Sequence, residues 1–230
     1  MPNKFTPHFE ATDSMADLVR ADYNILPLLS RFSIPLGFGN DTISEICRKN
    51  DIDADTFLLI ANFTLSNGID HSIVTPVAAL GIVDFLHNSH DYFISYKFPH
   101  IRSNLLNALD ANHSDINPAI IAYFDDYVNQ VKLHFEYEET TVFPYIRRLL
   151  SGEKSDYKID IFRKNHDEIG EKLSDLKNVI LKYYTTSKPN LMYDVLVDIF
   201  NCEDDLDQHN DIENDILVPL IESFEKSDKK

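Results

Sequence analysis

Basic residues are scarce in this chain: Lys and Arg total 21 against 38 Asp and Glu, giving a formal charge of −17. A nucleic-acid binder neutralises phosphates with clustered cations, so that class is excluded, and an anionic membrane surface would repel the chain. Long apolar runs are missing too: none approaches the ~20 residues that a bilayer-spanning helix needs. The opening residues, MPNKFTPHFEATDS, contain no apolar stretch of the kind a secretory signal carries. Cysteine occurs only as Cys47 and Cys202, which make neither a disulfide framework nor a CxxC redox or zinc motif. Glycine is limited to six residues, and long stretches lack both Gly and Pro. These absences imply a reduced, cytoplasmic, all-α protein, and 230 residues suffice for a main domain with a small appendage.

Short helical patterns cover residues 15–30, 43–48 and 55–65, with Thr42 and Glu45 spaced as a capping box. Gly37, Gly39 and Asn40 punctuate the loop between the first two, and 66–71 (SNGIDH) reads as a linker. The sequence therefore predicts a small helical N-terminal domain over 1–70 and an antiparallel four-helix bundle over 71–230. Thr75-Pro76 opens the first bundle helix, running to about residue 110, and Asn117-Pro118 opens the second, running to about residue 150. The third spans roughly 156–184, and the fourth follows Pro189 and ends near residue 224.

Apolar stripes mark the faces that meet in the core. On the second helix, Ile120, Phe124, Tyr127, Val131, His134, Glu138, Thr141 and Tyr145 alternate spacings of four and three. Val195, Ile199, Cys202, Leu206, His209, Glu213, Ile216 and Leu220 repeat this on the fourth, and Ile159, Phe162, His166, Ile169, Leu173 and Leu176 on the third. His134, Glu138, His166, His209 and Glu213 thus fall where a core should be apolar. An unpaired carboxylate there would cost several kcal/mol. A shared metal ion resolves the conflict, since carboxylates and neutral imidazoles are ligands for iron, manganese or zinc.

Spacing supports a metal. His134 and Glu138 lie one turn apart on one face, as do His209 and Glu213. Pro144 follows Glu138 by six residues and Pro219 follows Glu213 by six; HFEYEETTVFPYI (134–146) parallels HNDIENDILVPLI (209–221). One more His precedes each pair, His90 by 44 residues and His166 by 43. A duplicated helical hairpin would bring these four His and two Glu to one point, which suits a dinuclear centre with terminal imidazoles and bridging carboxylates. His100 lies ten residues from His90, too far along a helix to share its centre, and His113 is farther still. His87, three residues before His90 on the same face, is the rival; the matched intervals favour His90.

At these residues the chain resembles the hemerythrin-type (HHE) cation-binding proteins, and more closely the repair-of-iron-centres family. The matching stretches are SHDYF around His90, HFEYEETTVFPYIR, NHDEIGEKL (165–173) and QHNDIENDILVP (208–219). The resemblance implies two Fe ions, with an oxo or hydroxo bridge, held by His90, His134, His166 and His209 as terminal ligands and Glu138 and Glu213 as bridging carboxylates. It implies repair of damaged iron–sulphur proteins under nitrosative or oxidative stress, with O2 or NO as small ligands. The alternative is an O2- or NO-binding sensor or store without turnover. Oxygen-carrying hemerythrins have a further His one turn after the third-helix ligand; Gly170 stands there in this chain. Residues 29–58 match the family's N-terminal domain in outline, but Gly37 and Phe38 replace its adjacent cysteines, leaving packing or homodimer formation as that loop's role.

Overall fold

The computed structural model describes residues 8–66, 75–153, 155–165 and 171–227. The chain is all-α, as its composition predicts; among the described residues an isolated antiparallel bridge between Ser14 and Thr42 is the nearest approach to a sheet. Four short helices come first: α1 (Met15–Ala21), α2 (Ile25–Arg31), α3 (Ile43–Lys49) and α4 (Ala54–Ser66). The first two replace the single helix expected over 15–30. Asp22 is extended, with φ −153° and ψ 127°, and its Oδ1 accepts a hydrogen bond from Asn24 N–H at 2.9 Å. Pro27 then falls in the first turn of α2, where a missing N–H is harmless; an unbroken helix would set its ring against the Tyr23 carbonyl. The start of α3 follows expectation: Glu45 N–H donates to Thr42 Oγ1 at 3.3 Å, and Thr42 N–H donates to Glu45 Oε2 at 2.9 Å.

Among the described residues, three long helical runs follow. The first joins α5 (Pro76–Asp91), a π-helical turn Tyr92–Lys97 and α6 (Phe98–Ala108). The second joins α7 (Asn117–Tyr137), the π-helical turn Glu138–Val142 and α8 (Phe143–Leu150). After α9 (Ile159–Asn165) and α10 (Glu171–Tyr183), the third joins α11 (Pro189–Asp211), the π-helical turn Ile212–Leu217 and α12 (Val218–Ser227). The run from α5 is capped as expected, Thr75 Oγ1 accepting from Ala78 N–H at 3.0 Å. The run from α7 ends at Gly152, whose φ of +81° is the left-handed cap position; Gly152 N–H bonds Leu149 O and Glu153 N–H bonds Arg148 O. The expected linker 66–71 lies, from 67 on, outside the described residues.

The π turns have a cause in the sequence. Pro99, Pro144 and Pro219 each stand two residues past the last residue of such a turn. Proline offers no N–H to the carbonyl four residues back, and its ring crowds that carbonyl. Inserting one extra residue relieves the crowding. Accordingly the residue before each proline bonds five back: Phe98 N–H to Phe93 O, Phe143 N–H to Glu138 O, and Val218 N–H to Glu213 O.

The described residues fall into two compact units, within the spans Met1–Ser89, Tyr145–Arg163 and Asp211–Lys230, and His90–Pro144 and Lys164–Asn210. In the first unit the N-terminal helices share a core with the early part of α5. Phe32 packs on Phe57 and Phe85 at ring-centroid distances of 5.3 and 5.0 Å, and Asn88 Nδ2 donates to Arg31 O at 2.7 Å. Gly81 lets α4 approach closely, since a Cβ there would lie 2.8 Å from Thr56 Cγ2. Elsewhere in this unit Glu225 accepts from Tyr145 OH and from Ile159 N–H, the latter at 2.8 Å.

In the second unit the inward faces of α6, α7, α10 and α11 build one apolar core, including Ile101, Phe124, Leu176 and Ile199. Arg102 pairs with Asp125, while Asp110 O accepts from Asn117 Nδ2 at 2.8 Å, the register of antiparallel neighbours α6 and α7. Asp110 ties this end together. Its Oδ1 accepts from Asn112 N–H at 3.0 Å and its Oδ2 from Ser187 N–H at 2.9 Å. Tyr184 OH accepts from Asp110 N–H at 2.7 Å and donates to Asn117 Oδ1 at 2.8 Å. Hydrogen bonds from Ser187, chiefly, and Asn112 hold the Asp110 carboxyl down at about 2, from an ordinary 3.8. A carboxyl lowered on folding stabilises the fold fully above its unfolded value and loses that contribution as pH falls through the folded one. Asp110→Asn is therefore expected to lower the melting temperature at neutral pH. Its stability profile should be flatter than wild type between about pH 4 and 2, which thermal melts across that range will measure.

Candidate metal centre

The pattern His-x-x-x-Glu places both groups of each pair on one helix face, and the inward stripe carries that face into the core. Glu138, His209 and Glu213 are wholly buried at 0 % exposure, and His90 is 5 % exposed. One ligand atom from each of His90, Glu138 and His209 lies within 4.8 Å of the others. Glu138 sits between imidazoles: its Oε1 is 2.7 Å from His134 Nε2 and its Oε2 is 3.0 Å from His90 Nε2. The His134 side chain retains 13 % exposure. His166 lies outside the described residues. His87 is exposed, whereas His90, on the same face by spacing alone, is buried.

Aromatic rings fix the imidazoles. His90 stacks on Phe135 at 3.9 Å with planes 17° apart, and on Phe143 at 5.5 Å and 10°. The rings of His90 and His209 stand 5.1 Å apart. Phe93 meets His209 edge-on at 6.1 Å. Because Phe93, Phe135 and Phe143 are themselves buried, they give the site dry walls and limit ring rotation.

The donor set fits a hard or borderline cation. It offers nitrogen and oxygen and no thiolate, a combination suited to iron, manganese or zinc. Burying the Glu138 carboxylate beside the His90 and His209 imidazoles carries a large desolvation cost, which a cation among these three groups would offset. The π turns contribute directly, since the carbonyls of Glu138 and Glu213 accept the five-residue bonds. Each carboxylate thus stands at the first residue or second residue of a widened turn, a location where such distortions often accompany function.

Two features escaped the sequence argument. One is the third member of the proline set: Pro99 follows His90 by nine residues, much as Pro144 and Pro219 follow His134 and His209 by ten. The other is Glu139, whose Oε1 lies 2.7 Å from His90 Nδ1. Its signal was the Glu138-Glu139 doublet.

Among the described residues no helix is long and apolar enough to cross a membrane. Residues 81–221 match the family model of the hemerythrin HHE cation-binding domain. Comparison with curated proteins and with solved structures gave no match.

Proposed function

The chain belongs to the hemerythrin HHE cation-binding family, and from that membership we propose that it is a non-haem di-iron protein protecting or repairing iron–sulphur clusters under nitrosative and oxidative stress. Its ligands would be His90, His134, His166 and His209, with Glu138 and Glu213 bridging. The observation that carries this reading is Glu138, wholly buried with one carboxylate oxygen toward His134 and the other toward His90. A carboxylate so placed can serve two ions at once, one through each oxygen. When bound, two irons supply coordination of small diatomic molecules such as O2 or NO and electron exchange with them.

The protein's own part is to hold and shield. Phe135 and Phe143 keep the His90 ring in one plane, so Nε2 faces the site without a search through rotamers. Buried apolar walls exclude water and so strengthen the electrostatic hold on a cation. Gly170, where oxygen-carrying hemerythrins have another His, supports a site with fewer protein donors and more room for a diatomic ligand.

Loading under anaerobic, iron-replete conditions is expected to give two irons per chain. The reduced protein should then change its absorption on NO addition and restore a nitric-oxide-damaged iron–sulphur enzyme. Retention of zinc in place of iron would overturn the di-iron reading. Reversible O2 uptake with no restoration would identify a carrier or sensor instead.

A further inference from the structure

Two consecutive carboxylates face the two nitrogens of one imidazole. Glu138 Oε2 is 3.0 Å from His90 Nε2, and Glu139 Oε1 is 2.7 Å from His90 Nδ1. In a regular α-helix, neighbouring side chains diverge too widely to face one ring. The π turn Glu138–Val142 closes over five residues instead of four, so successive side chains stand at a smaller angle. We propose that Glu139 is a positioning residue for the metal centre, fixing His90 with its proton on Nδ1 and its lone pair on Nε2. The inference rests on the metal reading above.

The chemistry follows from hydrogen-bond roles. An ionised carboxylate only accepts, so the hydrogen in the Glu139–His90 contact belongs to Nδ1. A neutral imidazole then has its lone pair on Nε2, the nitrogen that faces Glu138. A carboxylate behind a ligating imidazole also makes it a stronger donor. Phe135 and Phe143 set the plane of the His90 ring, and Glu139 selects which edge points inward. The Glu139 side chain is 32 % exposed, so it can reach His90 from the rim without itself being sealed in the core.

The internal repeat is broken at this position. HFEYEE (134–139) has Glu139 where HNDIEN (209–214) has Asn214. A carboxylate supports His90, while the matching register of the other half carries a neutral amide. The two metal positions are therefore unequal, and the one that His90 serves is the one that Glu139 strengthens.

Co2+ is a suitable probe, loaded into the full chain and withdrawn by excess chelator while its visible absorption is followed. In Glu139→Gln, which keeps an acceptor but removes the charge, one ion is expected to leave several-fold faster. In Glu139→Ala it should leave about 10–100-fold faster, with the second ion released at the wild-type rate in both variants. Melting of the metal-free variants should match metal-free wild type, which separates positioning from a general structural role. Equal acceleration of both ions, or wild-type release in Glu139→Ala, would overturn the proposal. Glu138→Gln, assayed alongside, keeps the outcomes distinct: if it too binds Co2+ like wild type, the metal reading itself has failed.

Discussion

Glu138→Gln is expected to bind Fe2+ or Co2+ at least about a hundredfold more weakly than wild type, removing about 2.7 kcal/mol of metal-linked stabilisation at saturating metal. The substitution is nearly isosteric and keeps one carbonyl oxygen, so packing around a residue at 0 % exposure changes little. What it removes is the negative charge and the second equivalent oxygen. The amide nitrogen would point a donor at either His134 Nε2 or His90 Nε2, now 2.7 and 3.0 Å from carboxylate oxygens. His90→Ala should behave similarly, whereas His87→Ala should match wild type because that ring is exposed. The measurement is calorimetric titration together with melting curves with and without metal. A Glu138→Gln variant that retained wild-type affinity would remove Glu138 from the ligand set.

Much of this arrangement was legible from residue spacing, and the reasons are physical. Helix starts at Pro76, Asn117 and Pro189 follow from proline's tolerance for the first turn, and the inward faces follow from periodicity near 3.6. His134, Glu138, His209 and Glu213 stood out because they interrupt those stripes. The break at 22–24 was harder to see: Asp22 and Pro27 are each compatible with a helix end, yet the apolar pattern runs through them. His87 and His90 share a face, and only burial separates them. Glu139 was least legible. On an ideal helix it belongs to the solvent face, and its contact with His90 requires a π turn set by a proline five residues downstream. Reading a proline solely as a helix stop conceals what it does to the turn before it.

Phe135→Ala is expected to cost about 3–5 kcal/mol of unfolding free energy, read as a lower urea midpoint at unchanged slope. Phe135 is 3 % exposed, and its ring lies 3.9 Å from His90, 5.4 Å from His209 and 6.0 Å from Phe93. Truncation leaves a cavity among groups that cannot close it, because His90 is also held by Glu139 and by Phe143. Phe135→Leu separates the two roles of this ring. Leucine restores most of the apolar volume, so metal-free stability should fall by less than about 1.5 kcal/mol. It has no flat face to stack on His90, so metal affinity should fall while metal-free stability largely persists. A parallel drop in both would assign Phe135 to packing alone. A selective loss of metal affinity would show that the plane of the His90 ring, as much as its presence, is part of how this chain holds a cation.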